Sequence, residues 1–252
     1  MLGTRIIPCL QLIDESLVKA FQFGKYSYIG DPCNTVRIFN ELEVDELCFL
    51  DIRASKDGRE PNLKILKEIS DECFMPLSYG GGISSFVQAQ KIFSIGIEKV
   101  ILNTQAYLQP KLIQDIAYHY GNQAMVVSVD VRKHRDKYEI YIQDGSFKIN
   151  EPLIPYLKKL ESLGAGEIVI TRVENEGTWN GFDLELTKSA VEAVHIPVIA
   201  HGGGGTYQHV KEVIDTCHVS GVALGSMLVF QKKGMGVLVN FDDKLREFSV
   251  IK

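Results

Sequence analysis

The sequence predicts one α/β chain folded as a (β/α)8 TIM barrel with an eight-stranded parallel sheet. Three observations predict it: eight short apolar runs alternate with amphipathic stretches, no Pro/Gly/Ser-rich linker interrupts them, and the second half repeats the first. The runs are Arg5–Leu10, Glu46–Ile52, Met75–Gly80, Lys99–Asn103, Ala124–Asp130, Glu167–Thr171, Ile196–Ala200 and Val222–Gly225. Helical patterns lie between them at Asn34–Glu43, Asn62–Glu72, Phe86–Gly96, Pro110–Gly121, Pro152–Gly164, Asp183–Val194 and His209–Cys217. Runs joined by helical crossovers become parallel strands, and eight such units in 252 residues match the size of a closed barrel. An open doubly wound sheet usually has fewer strands. After the fifth run, the alternating segment Lys137–Phe147 reads as a β-ribbon over the mouth.

The repeat sharpens this picture. Glu46–Asp51 matches Glu167–Arg172 at an offset of 121, and Pro76 through Gly82 matches Pro197 through Gly203 at the same offset. Gln11 corresponds to Asp130 and Asn103 to Gly225 within two residues of that spacing. The expectation is one barrel over 1–252, built from half-barrels of about 1–122 and 123–252.

Composition narrows the function classes. Hydrophobic residues make up 45% and charged residues 23%, enough apolar material for a large core. A net charge of −5 argues against nucleic-acid and membrane partners, which favour basic surfaces. Small anions remain possible ligands. The five cysteines (Cys9, Cys33, Cys48, Cys73, Cys217) are widely spaced, with no C-x-x-C pair, which suits a reducing cytoplasm. Cys9 and Cys48 lie in strand-like runs and read as core residues. The amino terminus leads straight into a strand without a signal peptide, and no apolar run reaches membrane-spanning length.

Two glycine loops carry the first chemical signal: Gly80-Gly81-Gly82 after the third run and Gly202-Gly203-Gly204-Gly205 after the seventh. Each precedes a helix start, at Ser84 or Ser85 and at Thr206. Glycine lets backbone approach an anion, and a helix N-terminus adds free N–H groups. A lone glycine run is more often a tight turn, but two at equivalent positions of a duplicated barrel favour anion binding. Asn103-Thr104 and Gly225-Ser226 would neighbour them, so the expected ligand is a phosphorylated small molecule with phosphate at both ends.

Period two along the strands sets Arg5-Ile7-Cys9-Gln11, Glu46-Cys48-Leu50, Lys99-Ile101-Asn103 and Glu167-Val169-Thr171 on one face each. If these faces point into the lumen, Arg5, Glu46, Lys99 and Glu167 form a neutral ring at its base. From periodicity alone they are equally four surface charges. At the mouth, Gln11 and Asp130 oppose each other; Asp130 can exchange protons, whereas the Gln11 amide can only orient a ligand. Lys19 is either an anion ligand or solvated surface. His201 lines the mouth or acts as a base, and Trp179 covers the mouth or anchors packing. The six histidines show no metal-ligand spacing, and nothing points to a cofactor.

Together, RIIPCL, DELCFLDI, PLSYGGGI, KVILN, VVSVD, LGAGEIVIT, EGT-NGFDLEL and IPVIA-GGGGT resemble the cyclase subunit of imidazole glycerol phosphate synthase, HisF, over nearly the whole chain. The resemblance implies a duplicated barrel that takes ammonia from a glutaminase subunit docked on its N-terminal face. It implies that Arg5, Glu46, Lys99 and Glu167 gate the ammonia entrance. It places phosphate at Gly82 with Asn103-Thr104 and at Gly203-Gly204 with Gly225-Ser226, and sets Lys19, Asp51, Thr171 and Gly177 near the substrate. The family uses two aspartates as acid and base; Asp130 matches one, but Gln11 replaces the other. Glu176 stands for an aspartate, and Arg172 and His201 for small residues. This combination resembles a paralogous branch that supplies ammonia for converting an acetamido to an acetamidino sugar of bacterial surface polysaccharide, with a separate sugar amidotransferase. The other readings are a working histidine-pathway cyclase and a non-catalytic activator of the glutaminase.

Overall fold

The computed structural model describes residues 3–249. Eight parallel strands close into a barrel: β1 (Arg5–Ile13), β4 (Leu47–Asp51), β5 (Leu77–Gly80), β6 (Lys99–Leu102), β7 (Met125–His134), β10 (Glu167–Arg172), β11 (Val198–His201) and β12 (Gly221–Leu224). Closure is made by β12 pairing with β1 and by β7 pairing with β10, from Val126↔Glu167 to Val131↔Arg172. The expected fold class is the observed one.

The helices α1 (Pro32–Glu41), α3 (Leu63–Glu72), α4 (Phe86–Ser94), α6 (Lys111–Tyr120), α7 (Leu153–Ser162), α8 (Leu184–Ala193) and α9 (Tyr207–Cys217) surround the strands, with short α2 (Ala54–Asp57), α5 (Thr104–Leu108) and α10 (Ser226–Val229) in the loops at the mouth. Local chemistry starts them. Asp31 caps α1 by accepting from Asn34 N–H, with Pro32 at the first helical position. Ser85 and Gln88 form a capping box on α4, and Thr206 accepts from His209 N–H at the start of α9.

Strand alternation splits the core in two. Outward residues such as Phe49, Tyr79, Leu10 and Val127 pack against the helices. Ile7, Cys9, Cys48, Ile101, Val126, Val169, Ile199 and Ala223 form a separate cluster in the lumen. All five cysteines are free thiols. Phe49 is fully buried in the outer layer, so Phe49→Ala is expected to cost about 3–5 kcal/mol in urea unfolding. A loss below ~1 kcal/mol would contradict that packing.

Two hairpins stand above the mouth. The ribbon expected after the fifth run is β8 (Lys137–Ile142), paired antiparallel with β7 and with β9 (Phe147–Lys148). The other was not anticipated: β2 (Ser16–Ala20) folds back on β1, with Gln11↔Val18, and pairs with β3 (Tyr26–Gly30). The eighth unit also departs from a full strand–helix pair. Only the short α10 follows β12, then a bridge between Phe230 and Val237 and a 3-10 turn over Asp243–Glu247.

Candidate functional site

At the N-terminal ends of the strands, Arg5, Glu46, Lys99 and Glu167 converge into a closed ring of ion pairs. Arg5 Nη1 lies 2.8 Å from Glu46 and 3.0 Å from Glu167; Lys99 Nζ lies 2.9 Å from Glu46 and 3.1 Å from Glu167. None of the four side chains is more than 20% exposed. Burial works against the Arg5 charge, but Glu167 and Glu46 outweigh it and hold the guanidinium above its ordinary value. Two cations shared between two anions leave the ring neutral, which offsets the desolvation of each charge.

Above the ring the lumen holds a mainly apolar cavity lined by Ile7, Cys9, Cys48, Val169 and Ile199, with Ser78 and Ser128 in its wall and Glu46 and Glu167 of the ring also lining it. Leu50, Ile101 and Ser128 line both this cavity and an open cleft at the mouth. The lumen and the cleft therefore meet beside β4, β6 and β7. The cleft, about 820 Å³ with its opening included, is bordered by Gly80–Gly82, Asn103, Thr104, Asp130, Thr171, Gln11 and His201.

Asp130 is buried in this cleft. Asn103 Nδ2 donates to its Oδ2 (3.0 Å) and Ser128 Oγ lies 3.4 Å from Oδ1. Burial pushes its carboxyl up to about 7, aided by Asp144 and Glu176 and opposed by the hydroxyls of Ser128 and Thr171. Asp51 borders the cleft with its carboxylate already engaged. It accepts from Arg53 and Ala54 N–H groups at the start of α2 and takes the Arg59 guanidinium in two bonds (3.0 and 3.1 Å). Gly81 and Gly82 have positive φ, and a Cβ on either would come within 2.5 Å of the backbone carbonyl of Asp51 or Arg59. Gly82→Ala is expected to distort this loop and cost roughly 1–3 kcal/mol; urea unfolding at the wild-type midpoint would disprove it.

Opposite Asp130, Gln11 is engaged at both ends of its amide. Its Oε1 accepts from Ala20 N–H (2.6 Å) and its Nε2 donates to Glu176 Oε1 (3.1 Å), clasping β2 to the barrel. Lys19 is a buried partner of Glu176, through a very short contact, and donates to the Ala20 carbonyl. Thus neither solvated surface nor a free cation describes Lys19. Its ammonium sits against Gly225, where a side chain would collide with it.

The two glycine runs differ in setting. The first borders the cleft. The second lies beneath the loop after β10: Gly181 N–H donates to the Gly203 carbonyl, Phe182 abuts Gly204 and Trp179 abuts Gly205. Trp179 therefore covers that run. Gly203, Gly204, Gly225 and Ser226 do not border the cleft that holds Gly82, Asn103 and Thr104. Gly177 meets the β2–β3 hairpin at Ala20 and Phe21, and Gln22 bonds Glu174 and Glu176 carbonyls. Arg172 pairs with Glu174 and Asp183, fixing the same loop.

Sequence reasoning missed Ser128 and Asp144 at the cleft. Ser128 lies two residues before Asp130 on β7, so strand alternation could have found it. Asp144 sits at the tip of the ribbon and had no such signal. Among the described residues, no helix is long and apolar enough to cross a membrane, and no cluster of His, Cys, Asp and Glu could hold a metal ion.

Comparison with known proteins now decides the family. Residues 5–233 match the family described as histidine biosynthesis protein. This chain belongs to that family. Among its relatives in the histidine biosynthesis family, a Leptospira borgpetersenii protein named "Putative imidazole glycerol phosphate synthase subunit HisF" is 43% identical over 243 residues, covering 96% of each chain. The Pseudomonas aeruginosa protein named "Putative imidazole glycerol phosphate synthase subunit hisF2" is 42% identical over 244 residues, 96% of this chain and 97% of that one. A hisF3 protein of Vibrio vulnificus, given the same subunit name, is 39% identical over 243 residues, 96% and 94% of the two chains. The chain is a HisF-like barrel of the imidazole glycerol phosphate synthase subunit type.

Proposed function

We propose that this chain is a synthase subunit that receives ammonia from a glutaminase docked on the N-terminal face and delivers it through the lumen to the cleft. One observation carries the reading. A neutral ring of buried ion pairs closes the base of an apolar cavity, and that cavity shares its upper lining with a cleft holding Asp130. Ammonia is small and uncharged, so an apolar passage admits it while excluding ammonium and other ions. Arg5, Glu46, Lys99 and Glu167 are the gate, and Gly82 with Asn103-Thr104 holds the phosphate of a ligand. Gly203-Gly204 with Gly225-Ser226, beside Gly177 and Lys19, is the second anion site of the duplicated half-barrel. Using that second site requires the loop over it to move.

The finer reading is specialisation toward amidination of a surface-polysaccharide sugar by a separate amidotransferase. Gln11 supports it, because its amide is tied to Ala20 and Glu176 and leaves Asp130 without a second aspartate. The histidine-pathway cyclase reaction is the second reading, favoured by the cleft having kept Asp130 and the first anion site.

The test reconstitutes the chain with its glutaminase and follows product with glutamine or with ammonium salt as nitrogen source. Product is amidinated sugar with the amidotransferase present, and imidazole glycerol phosphate when a bis-phosphate ribonucleotide, the substrate of the histidine-pathway cyclase reading, is supplied. Lys99→Ala is expected to lower the glutamine-dependent rate about tenfold and leave the ammonium-dependent rate near wild type. Equal loss in both arms would exclude passage through the ring.

A further inference from the structure

Two thiols share the wall of the luminal cavity. Cys9 on β1 and Cys48 on β4 are in register across the two parallel strands, and both side chains line the cavity. Both are buried. The Cys9 thiol donates to Cys48 Sγ at 3.9 Å. The other cysteines lie apart from this pair, Cys33 on α1, Cys73 just after α3 and Cys217 at the end of α9. Neighbouring strands run about 4.8 Å apart, inside the roughly 4.4–6.8 Å between α-carbons that a disulfide spans. The sulfurs need only close from 3.9 Å to about 2.0 Å, a distance that rotation of the two side chains can cover.

We propose that Cys9 and Cys48 are a reversible modification site, which a small uncharged hydroperoxide entering from the mouth oxidises to a disulfide stapling β1 to β4. The surroundings set both the route and the order of reaction. The cavity meets the open cleft at Leu50, Ile101 and Ser128, and the ion-pair ring closes its other end. Its wall is mainly apolar, so it admits a small neutral oxidant and excludes a charged or bulky one. Cys48 reacts first, because the Cys9 thiol is occupied as a donor to it. That hydrogen bond and burial hold the Cys9 thiol well above its ordinary pKa, against the opposing influence of His201.

With hydrogen peroxide the atoms balance in two steps. Cys48 Sγ attacks one peroxide oxygen, the O–O bond breaks, and the leaving oxygen takes the thiol proton and departs as water. Cys9 Sγ then attacks the sulfenic sulfur, the S–O bond breaks, and hydroxide leaves with the Cys9 proton as a second water. The two thiols lose two electrons and the peroxide gains them. This chemistry needs neither ammonia nor a glutaminase, and it is tested without either.

The test uses the full chain with Cys33, Cys73 and Cys217 each replaced by serine, leaving the pair as its only thiols. Under hydrogen peroxide it should lose both thiols and the mass of two hydrogens, with no intermolecular link on a non-reducing gel, and dithiothreitol should restore both. The staple closes a long loop of the unfolded chain, so Tm should rise by about 5 °C or more. Cys48→Ser in the same background should form no link within the chain and gain nothing in Tm. Measured against its rate with free cysteine, tert-butyl hydroperoxide should react about tenfold more slowly than hydrogen peroxide, and oxidised glutathione should not react. Thiols that survive peroxide, or that pass irreversibly to sulfinic acid, would overturn the site. Equal relative rates for small and bulky oxidants would mean that the barrel opens to expose the sulfurs, and would overturn entry from the mouth. If the serine background does not fold, peptide mapping of the oxidised wild-type chain decides, and absence of a linked Cys9–Cys48 peptide sinks the assignment.

Discussion

Asp130→Asn is expected to slow ammonium-dependent turnover by about 10²–10⁴-fold and, in the same protein, to raise stability above pH 7. The two effects share one cause. Asp130 is buried in the cleft, and burial lifts its carboxyl from the ordinary 3.8 to about 7. A carboxyl raised on folding takes up protons when the chain folds between those two values. Its contribution is fully present below the unfolded pKa and is lost as pH rises through the folded one. Each pH unit between the two is worth about 1.4 kcal/mol, so the ionised carboxylate costs up to ~4 kcal/mol at alkaline pH. Asparagine keeps the bond with Asn103 or Ser128 and carries no charge to desolvate. Urea unfolding at pH 5 and pH 8 checks this: the asparagine variant should gain on wild type as pH rises. A gain that is the same at both values would mean Asp130 is not desolvated in the free chain.

Much of the fold was legible because the barrel is built from local periodicities. Strand alternation put Ile7, Cys9, Cys48, Ile101 and Val169 on the inward faces, and these residues form one luminal cluster. The ribbon after β7 was legible from the alternation of Lys137–Ile142. The β2–β3 hairpin was not. Its strands Ser16–Ala20 and Tyr26–Gly30 are short, and what holds them is distant in sequence: Gln11 on Ala20, and the Glu176 loop on Gln22. Lys19 shows the same limit. A lysine just past a strand reads as solvated or as an anion ligand until the chain returns, more than 150 residues later, with a buried carboxylate. The two glycine runs look alike in sequence, yet they differ in what covers them. Only the second lies under Trp179 and Phe182, and glycine there permits close approach of that loop as well as of an anion.

Glu176→Gln should show how far this non-local cluster governs the mouth. The carboxylate is the partner of Lys19, and both side chains are almost completely buried. The amide retains acceptors for Lys19 and Gln11 but leaves the ammonium uncompensated. Breaking a buried pair from one side costs several kcal/mol, here about 3. Lys19→Met combined with Glu176→Leu should recover most of that loss, because no buried charge then lacks a partner. Burial works against the Glu176 charge, but Lys19 and His201 outweigh it and set its pKa below the ordinary 4.5. A carboxylate lowered on folding stabilises above its unfolded pKa, and that margin disappears as pH falls through the folded value. The gap in unfolding free energy between wild type and Glu176→Gln should therefore be complete at pH 7 and shrink only below about pH 4.5. A gap unchanged in acid would show that the amide disturbs packing rather than charge. The same substitution removes the main counter-charge of His201, so its imidazolium should lose its proton at lower pH, a shift that NMR titration of the ring would read. The clasp that orders the hairpin and the charge that tunes the imidazole are thus one carboxylate, and a single variant should move both readouts together.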